Sequence, residues 1–315
     1  MTADDVRGLL PASIVGDVAS IAPIRAGLSG AGVYAVEAAR GRFVLRVVDS
    51  TVSARDWADQ LVVLRRAAAL GVAPAVVHVD EAARAVLSTQ ILGAPLHAAL
   101  ADPAQRAPAL TSVVAQLRAL HGMDPARVPP RDVVAFARRL WELESPRPGF
   151  PAWTSGAGAA LDEIDAVLSA DPRRVVSHND LNPSNVLWDG ARAWLVDWDS
   201  AGLNHPFYDL ATLATFLLLD DAAALGLLAA QERGALDARA PATLAALRRL
   251  VAIAAGGAFL HLAPDLTVRA ATTRADAPTL AACYAEMRAG TLDLQSPSGQ
   301  VALGLALLRL GTEPA

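Results

Sequence analysis

The spacing of apolar residues changes near residue 92, and this change is the strongest constraint on the fold. Before it, five short apolar or alternating runs are typical of strands. "SIAPIRAGLSG", "GVYAVEAA" and "RFVLRVVD" are joined by glycine-rich turns, and "APAVVHVD" and "AVLSTQIL" come later. One segment between them, "SARDWADQLVVLRRAAALG", has the helical period, with Ser53 as cap and Gly71 as stop. After it, six long segments are helical: "ALTSVVAQLRALHG", "DVVAFARRLWELE", "GAALDEIDAVLSA", "PFYDLATLATFLLL", "DAAALGLLAAQ" and "PATLAALRRLVAIAAGGAFLHLA". The pattern predicts an α+β chain with a sheet-containing lobe over residues 1–92 and a larger helical lobe over residues 93–315.

Composition limits the classes of partner. With 53% hydrophobic and 19% charged residues, the chain of 315 residues can bury a large core. Its net charge of −5 disfavours binding to nucleic-acid phosphates. All 27 basic residues are arginine, which excludes Schiff-base chemistry and the lysine of a phosphate-binding P-loop. We therefore expect a small neutral or cationic molecule as partner, and no nucleic acid.

Other features bear on the cellular compartment. Cys283 is the single cysteine, so no intrachain disulfide can form, and the acidic start "MTADDVRGLL" lacks the basic and apolar regions of a signal peptide. The longest apolar run, "LVAIAAGGAFLHLA", is shorter than the ~20 residues that cross a bilayer, so it predicts a buried helix. These features favour a cytoplasmic protein with no membrane partner.

The segment "VVSHNDLNPSNVLWD" places a strongly polar loop between two short apolar runs. The turn "DGAR" and the strand "AWLV" follow, and they lead to Asp197-Trp198-Asp199. This order predicts a hairpin that brings a second acidic site beside the loop. Phosphoryl transfer needs a carboxylate that orients the acceptor hydroxyl and takes its proton. It also needs an amide oxygen and a second carboxylate that hold Mg²⁺ against the nucleotide phosphates.

The same spacing carries a resemblance to a known family. "HNDLNPSN" followed by "LVDWD" resembles the catalytic and metal-binding loops of the aminoglycoside phosphotransferase and choline kinase superfamily, relatives of protein kinases. "DWDSAGLNHPFYDLATL" is most similar to the choline kinase-like branch. "AGLSGAGVYAVEAARGRFVLRV" resembles the nucleotide loop and third strand of that branch, and "LSTQILGAPL" resembles its interlobe hinge. The resemblance covers nearly the whole chain and implies a protein-kinase-like two-lobe fold.

The resemblance implies a role for each motif residue. Asp180 is the catalytic base, and Asn185 and Asp197 bind Mg²⁺. Asp199 is an additional acid that faces either the metal site or the acceptor. His178 and Asp209 support the catalytic loop. The nucleotide is expected to be ATP, bound by the phosphate loop, the third strand and the hinge: Ser29, Gly30, Ala31, Gly32, Arg46, Thr89 and Ile91.

Two positions depart from the pattern of the relatives. Many relatives have a glutamate on the lobe helix that pairs with the basic residue of the third strand. That position is Gln60 here, with Asp59 beside it and Asp56 one turn earlier, so the pairing is either weakened or supplied by an aspartate. The choline kinase pattern continues "DWEY", whereas this chain has "DWDS". Ser200 therefore removes an aromatic residue, and a primary amine or a polyol fits as well as choline.

The leading hypothesis is an ATP-dependent kinase that phosphorylates a hydroxyl of a small neutral or cationic alcohol of the choline, ethanolamine or amino-sugar type. An aminoglycoside or other antibiotic phosphotransferase is the alternative within the enzymes, and a catalytically silent kinase-like binding module is the alternative outside them. For the loop itself, two weaker hypotheses than a kinase site are a fragment of a metal hydrolase and a polar connection between strands. The aromatic residues Trp141, Trp153 and Tyr284 either contribute to a cation site or pack within the chain.

Overall fold

The computed structural model describes residues 3–24, 32–269 and 271–313. The chain forms two compact units. The first comprises Met1–Pro129 and Val175–Leu203, and the second comprises Pro130–Arg174 and Asn204–Ala315. The polar loop and the acidic segment that follows it therefore belong to the same unit as the N-terminal strands. The predicted division at residue 92 stays a prediction.

A five-stranded antiparallel sheet opens the first unit. Its strands are β1 Val18–Pro23, β2 Gly32–Ala38, β3 Gly41–Val47, β4 Val76–Asp80 and β5 Ala85–Thr89, in the spatial order β1-β2-β3-β5-β4. β3 lies in the centre, where Arg46 pairs with Val33 on one side and with Val86 on the other. The α+β prediction and all five predicted strands are confirmed.

The long helix α3 (Ala54–Ala69) crosses between β3 and β4 in the chain and begins and ends where the sequence predicts. The Ser53 side chain caps it by accepting a hydrogen bond from the Asp56 N–H at 3.1 Å. Trp57 and Leu61, one turn apart, are buried with Val48 and Val86 against the sheet. Gly71 has a φ of +67°, which glycine adopts without strain.

The prediction of a single helix in the first ninety residues is wrong. Two short helices, α1 (Ala3–Gly8) and α2 (Ala12–Val15), precede the sheet. Val6 of α1, Val15 of α2 and Leu10 between the two helices are buried with Phe43 and Leu45 of the sheet. Helices of six and four residues contain too few turns to produce a recognisable 3.6-residue period, so the sequence pattern carries no signal for them.

The remainder of the first unit is small and builds the polar loop. It contains β6 Ala94–Pro95, α4 Leu96–Ala99, α5 Pro103–His121, β7 Val175–Ser177, a 3-10 turn Pro183–Asn185, β8 Val186–Trp188, β9 Ala193–Leu195 and β10 Gly202–Asn204. β8 and β9 form an antiparallel hairpin that extends to β6, while β7 pairs with β10. The hairpin predicted from "VLW", "DGAR" and "AWLV" is confirmed.

The second unit is helical. Its helices are α6 Val133–Glu144, α7 Ala157–Ser169, α8 Tyr208–Phe216, α9 Asp221–Glu232, α10 Ala240–Leu262, α11 Leu280–Arg288 and α12 Pro297–Gly311, with 3-10 turns at Ala152–Gly156 and Thr267–Arg269. α10 is central and packs against α6, α7, α8 and α12. The helical predictions for α5 to α10 are confirmed.

The sequence pattern did not identify α11 and α12, and glycine explains the second omission. Gly299, Gly304 and Gly311 lower the helical propensity of "PSGQVALGLALLRLG". In the structure these glycines permit close packing. A Cβ atom at Gly304 would lie 2.8 Å from the Leu260 side chain and 3.1 Å from the carbonyl oxygen of Gly256. The close packing of α12 therefore requires the same glycines that weaken the helical pattern in its sequence.

The most apolar run lies in a helix that is long enough to cross a membrane, so its length does not identify it as a core helix. That run belongs to α10, which has 23 residues and is long and apolar enough to cross a membrane by length and composition. However, 67% of its most apolar window is buried inside the protein. Burial, rather than insufficient length, is the observation that identifies α10 as a core helix.

Candidate active site

The polar loop holds one carboxylate in a fixed orientation. The side-chain amide of Asn182 donates to Oδ1 of Asp180 at 3.1 Å, and that of Asn185 donates to Oδ2 at 2.9 Å. Asn185 also donates to the backbone carbonyl of Asp180 at 2.9 Å. Because both carboxylate oxygens accept an amide hydrogen, the Asp180 side chain is oriented before any substrate arrives.

Residues on either side of Asp180 hold the loop in place. Asn179 has a φ of +65°, and its amide donates to the carbonyl oxygens of Ser200 and Gly202 at 3.0 and 3.2 Å. Asparagine tolerates this left-handed conformation better than most residues. His178 is buried, and its Nε2 donates to the Val196 carbonyl at 3.0 Å while its ring lies 4.8 Å from that of Trp198. These contacts connect the loop with the segment after β9.

The β8–β9 hairpin determines where that segment begins. Asp189 closes the turn by accepting hydrogen bonds from the N–H groups of Ala191 and Arg192 at 2.9 and 2.7 Å. At the end of β9, the Leu195 N–H donates to the Val72 carbonyl at 3.0 Å, and the Val196 N–H donates to the Asn185 carbonyl at 2.9 Å. The chain therefore emerges from β9 directly beside Asn185, and the next residue is Asp197.

The acidic segment has an unusual backbone at its first position. Asp197 has a φ of +63°, which is uncommon outside glycine and is concentrated at functional sites. Trp198 is buried, and its indole N–H donates to the Leu195 carbonyl at 3.0 Å. The turn places Asp197 and Asp199 in the lining of one cavity, on either side of the buried tryptophan.

The carboxylates of this site influence one another. Burial raises the pKa of Asp180 above its usual value, and the negative charge of Asp197 raises it further. Burial also raises the pKa of Asp199, against the opposing effect of the Arg46 guanidinium, while Asp197 and Asp180 act in the same direction as burial. The negative charge of Asp197 therefore acts on both Asp180 and Asp199, and a bound cation would offset the combined charge of the site.

A cavity of about 220 Å³ adjoins these residues. Apolar side chains of the sheet and of α3 line much of it, including Val44, Leu61 and Val86. Thr89, Gln90 and Ile91 also line the cavity. The N–H groups of Thr89 and Gln90 already donate to the carbonyls of Ala75 and Arg42, so the N–H of Ile91 is the next donor along this segment. A cavity lined by apolar side chains, by this segment and by Asp197 and Asp199 suits a nucleotide.

Arg46 enters the same cavity from β3 and forms an ion pair with Asp199. Gln60 of α3 also lines the cavity, and its Nε2 donates to the backbone carbonyl of Asp199 at 3.2 Å. The two aspartates near Gln60 are engaged elsewhere, since Asp59 lies 3.9 Å from Arg55 and Asp56 accepts a hydrogen bond from Ser53. The partner of Arg46 in this structure is therefore on the acidic segment.

The donor set fits Mg²⁺. The amide nitrogen of Asn185 is committed to Asp180, which leaves its carbonyl oxygen as the atom suited to a cation, and Asp197 supplies an anionic oxygen. Among the described residues, no three His, Cys, Asp or Glu side chains are grouped to hold a metal ion. Asn185 and Asp197 are the residues that would hold a metal here, and phosphate and water oxygens would complete its shell.

The predicted residues fall into three groups. Seven of them lie together in the first unit, around the polar loop and the cavity: Arg46, Thr89, Ile91, Asp180, Asn185, Asp197 and Asp199. Gly32 begins β2, whereas Ser29, Gly30 and Ala31 lie outside the described residues. Asp209 is fully buried in the first turn of α8, in the second unit, and its role in supporting the catalytic loop stays a prediction.

The three aromatic candidates for a cation site have packing partners in the second unit. Trp141 packs edge-to-face on Phe150 with 5.1 Å between ring centroids. The indole N–H of Trp153 donates to the Ala271 carbonyl at 3.1 Å, and the Tyr284 hydroxyl donates to the Phe216 carbonyl at 3.0 Å. These contacts favour the packing interpretation for all three residues.

Sequence reasoning did not assign roles to Asn179 and Asn182, although both orient the loop. The signal was available in part, because asparagine is the residue type that combines a tolerated positive φ with a side-chain amide. The Arg46–Asp199 pair was also missed. No local pattern reveals a contact between residues 153 positions apart.

Comparisons with known proteins identify the family and the fold of the chain. The family model described as "Phosphotransferase enzyme family" matches residues 20–250. The protein LicA of Haemophilus influenzae is 43% identical over 63 residues, which span 18% of this chain and only 19% of LicA.

Solved structures match over more of the chain. A choline/ethanolamine kinase family protein from Mesorhizobium loti superposes with a TM-score of 0.65 and 21% identity, covering 99% of this chain and all (100%) of its own. A structure of LicA in complex with AMP gives a TM-score of 0.63 at 14% identity, covering 84% of this chain and 90% of its own. At these identities the likeness establishes the fold, which is the predicted kinase-like two-lobe type.

Proposed function

The chain belongs to the phosphotransferase enzyme family, and from this premise we propose that it transfers the γ-phosphoryl group of Mg-ATP to a hydroxyl of a small neutral or cationic alcohol. One observation carries the proposal. Asp180 is held through both carboxylate oxygens by Asn182 and Asn185, in a loop that the β8–β9 hairpin joins to Asp197 and to the cavity. A polar strand connection would not need a doubly oriented carboxylate beside a second acid.

In this proposal Asp180 is the general base. It accepts the proton of the acceptor hydroxyl as the oxygen attacks the γ-phosphorus, and the two amides keep the carboxylate aimed during the transfer. Burial and the negative charge of Asp197 raise its pKa, so the carboxylate is a stronger proton acceptor than an exposed aspartate. Positioning and charge neutralisation supply most of the remaining rate enhancement.

The nucleotide would lie in the cavity, with its base against the hinge at Thr89 and Ile91 and its phosphates toward Arg46 and Asp197. Bound Mg²⁺ would supply positive charge to the phosphate oxygens, and Asn185 and Asp197 are the residues that would hold it. The AMP bound in the LicA structure supports a nucleotide in this fold, since the two structures share their architecture.

The charge of the site favours a cationic or neutral acceptor. Asp180, Asp197 and Asp199 lie together, and a bound nucleotide adds further negative charge, so an anionic alcohol would be repelled. The name of the Mesorhizobium loti protein refers to choline and ethanolamine, which are both cationic alcohols. Ser200 is exposed and provides no aromatic face, so a primary amine suits this chain as well as a quaternary one.

A screen of acceptors tests the proposed function. ADP release from Mg-ATP is measured with choline, ethanolamine, amino sugars, aminoglycosides, glycerol and phosphorylated or carboxylated alcohols. We expect stimulation over the background rate by at least one amino alcohol or amino sugar, and none by the anionic alcohols. Stimulation by aminoglycosides alone would identify the antibiotic phosphotransferase. Binding of Mg-ATP, detected as a rise in melting temperature, with no stimulation by any acceptor would favour the silent binding module.

Substitution of Arg46 tests the nucleotide side of the site. Arg46→Lys keeps the positive charge but loses the planar guanidinium, which can donate two parallel hydrogen bonds to a phosphate. The loss of this bidentate contact should raise the KM for ATP roughly several-fold. The circular dichroism spectrum should be unchanged. Arg46→Ala should raise the KM further. If ATP bound to the Arg46→Ala variant as tightly as to the wild type, the assignment of Arg46 to the phosphates would be wrong.

A further inference from the structure

The ion pair of Arg46 differs from the arrangement expected by resemblance. The expected partner is an acid on the lobe helix, but that position is Gln60, which has no charge. Arg46 instead contacts Asp199, which lies 153 positions later in the chain and directly after Trp198. The helix is still connected to the pair, since Gln60 donates to the backbone carbonyl of Asp199 at 3.2 Å.

We propose that Asp199 and Gln60 together are the positioning residues for Arg46, with Asp199 supplying the carboxylate that orients the guanidinium and Gln60 fastening the backbone of Asp199 to α3. This inference rests on the proposed function in assigning Arg46 to the phosphates of the nucleotide. It goes beyond that function by assigning to the acidic segment the anchoring role that an acid on α3 would otherwise perform.

The burial of the pair makes the anchoring effective. The Arg46 side chain is 21% exposed and the Asp199 side chain is 33% exposed, so solvent screens the pair only in part. Arginine has a long side chain that loses conformational freedom when it is held, and a carboxylate partner holds it before the ligand arrives. Its guanidinium has five N–H donors, so donors remain for phosphate oxygens while Asp199 is bound.

The amide of Gln60 has a second feature that makes the inference testable. Its Oε1 is buried and has no hydrogen-bond partner among the described residues. Gln60 is one of the residues that line the cavity that Arg46 enters. A glutamate at this position would place an anionic oxygen at the site of that acceptor. It could then accept from Arg46 and take over the role of a missing Asp199 carboxylate.

The experiment compares Asp199→Asn, Gln60→Glu and the double variant with the wild type. Binding of Mg-ATP and of adenosine is measured by calorimetry, since adenosine contacts the hinge but has no phosphate. We expect Asp199→Asn to weaken Mg-ATP binding by about tenfold, as for one charge-assisted contact, and to leave adenosine binding unchanged. The double variant should recover Mg-ATP affinity to within about threefold of the wild type. The same pattern should appear in the KM for ATP, with a smaller change in kcat.

A matched control separates local pairing from general charge. Ala58 is an exposed residue of α3, so Ala58→Glu adds the same charge to the same helix away from the cavity. The double variant with Ala58→Glu and Asp199→Asn should remain as weak as Asp199→Asn alone. Equal recovery by both double variants, or no recovery by Gln60→Glu, would overturn the inference. So would unchanged Mg-ATP binding by Asp199→Asn.

The inference and the proposed function can fail separately. A wild type that phosphorylates an alcohol while the variants bind Mg-ATP like the wild type would contradict the inference alone. A wild type that phosphorylates no alcohol, but whose Mg-ATP affinity falls with Asp199→Asn and recovers with Gln60→Glu, would contradict the proposed function alone. Thermal melting of each variant in the absence of ligand excludes a loss of folding as the cause.

Discussion

Asp180→Ala is expected to lower the rate of phosphoryl transfer by about 10²–10⁴-fold, the range typical for loss of a general base. Binding of Mg-ATP should be nearly unchanged, because the proposal places Asp180 on the acceptor side and does not assign it to the metal. The substitution leaves the amides of Asn182 and Asn185 without their acceptor, so a modest fall in melting temperature is also expected. The measurements are kcat at saturating substrates and the Kd of Mg-ATP.

The control for this variant is Asp124→Ala, which removes an exposed carboxylate of the same unit whose hydrogen bond is to the Ala126 N–H. It should turn over at the wild-type rate. Turnover of Asp180→Ala within a few-fold of the wild type would contradict the assignment of the general base. A joint loss of turnover and Mg-ATP binding would move Asp180 to the nucleotide side of the site.

Asp197→Asn is expected to weaken Mg²⁺ binding and to lower the rate of turnover together. The positive φ of Asp197 suits asparagine, so the backbone of the turn should survive the substitution. The neutral amide removes one negative charge from a site for a hard cation that prefers anionic oxygen. The Mg²⁺ concentration needed for half-maximal activity should rise at least about tenfold, because even substitutions of residues that only support metal ligands typically weaken metal binding by about that factor. Titration of activity with Mg²⁺ at saturating ATP measures this shift.

Asp124→Asn is the matched control, since it makes the same chemical change at an exposed site. A Mg²⁺ dependence of Asp197→Asn equal to that of the wild type would show that another oxygen holds the metal. Asp199 would then be the first alternative, although its carboxylate pairs with Arg46 in this structure.

The sequence predicted those parts of the fold in which local chemistry and tertiary structure agree. α3 has a serine cap, a buried face at helical spacing and a glycine at its end, and the structure has all three. The β8–β9 hairpin was equally predictable, because the turn residues Asp189 and Gly190 lie between two short apolar runs. In both cases the residues that form the element also determine its ends.

Where tertiary contacts decide, the sequence carried little signal. α12 was missed because its glycines weaken the local helical pattern, although Gly304 and Gly311 permit its close approach to α10. α1 and α2 are too short for a period to be visible. The motif residues of the candidate site could be found, because the spacing from His178 to Asp199 is local. The partner of Arg46 could not, because it is determined by the packing of β3 and α3 against the acidic segment.

The most direct test of the account follows the phosphorus atoms themselves. Phosphorus-31 NMR of the wild type with Mg-ATP and an amino alcohol should show the γ-phosphate signal replaced by that of a phosphate monoester, in equal amount to the ADP formed. Omission of Mg²⁺ or the substitution Asp180→Ala should suppress both products. Consumption of ATP that yields only inorganic phosphate, or no consumption with any of the alcohols tested, would contradict the assignment of this site to phosphoryl transfer onto an alcohol.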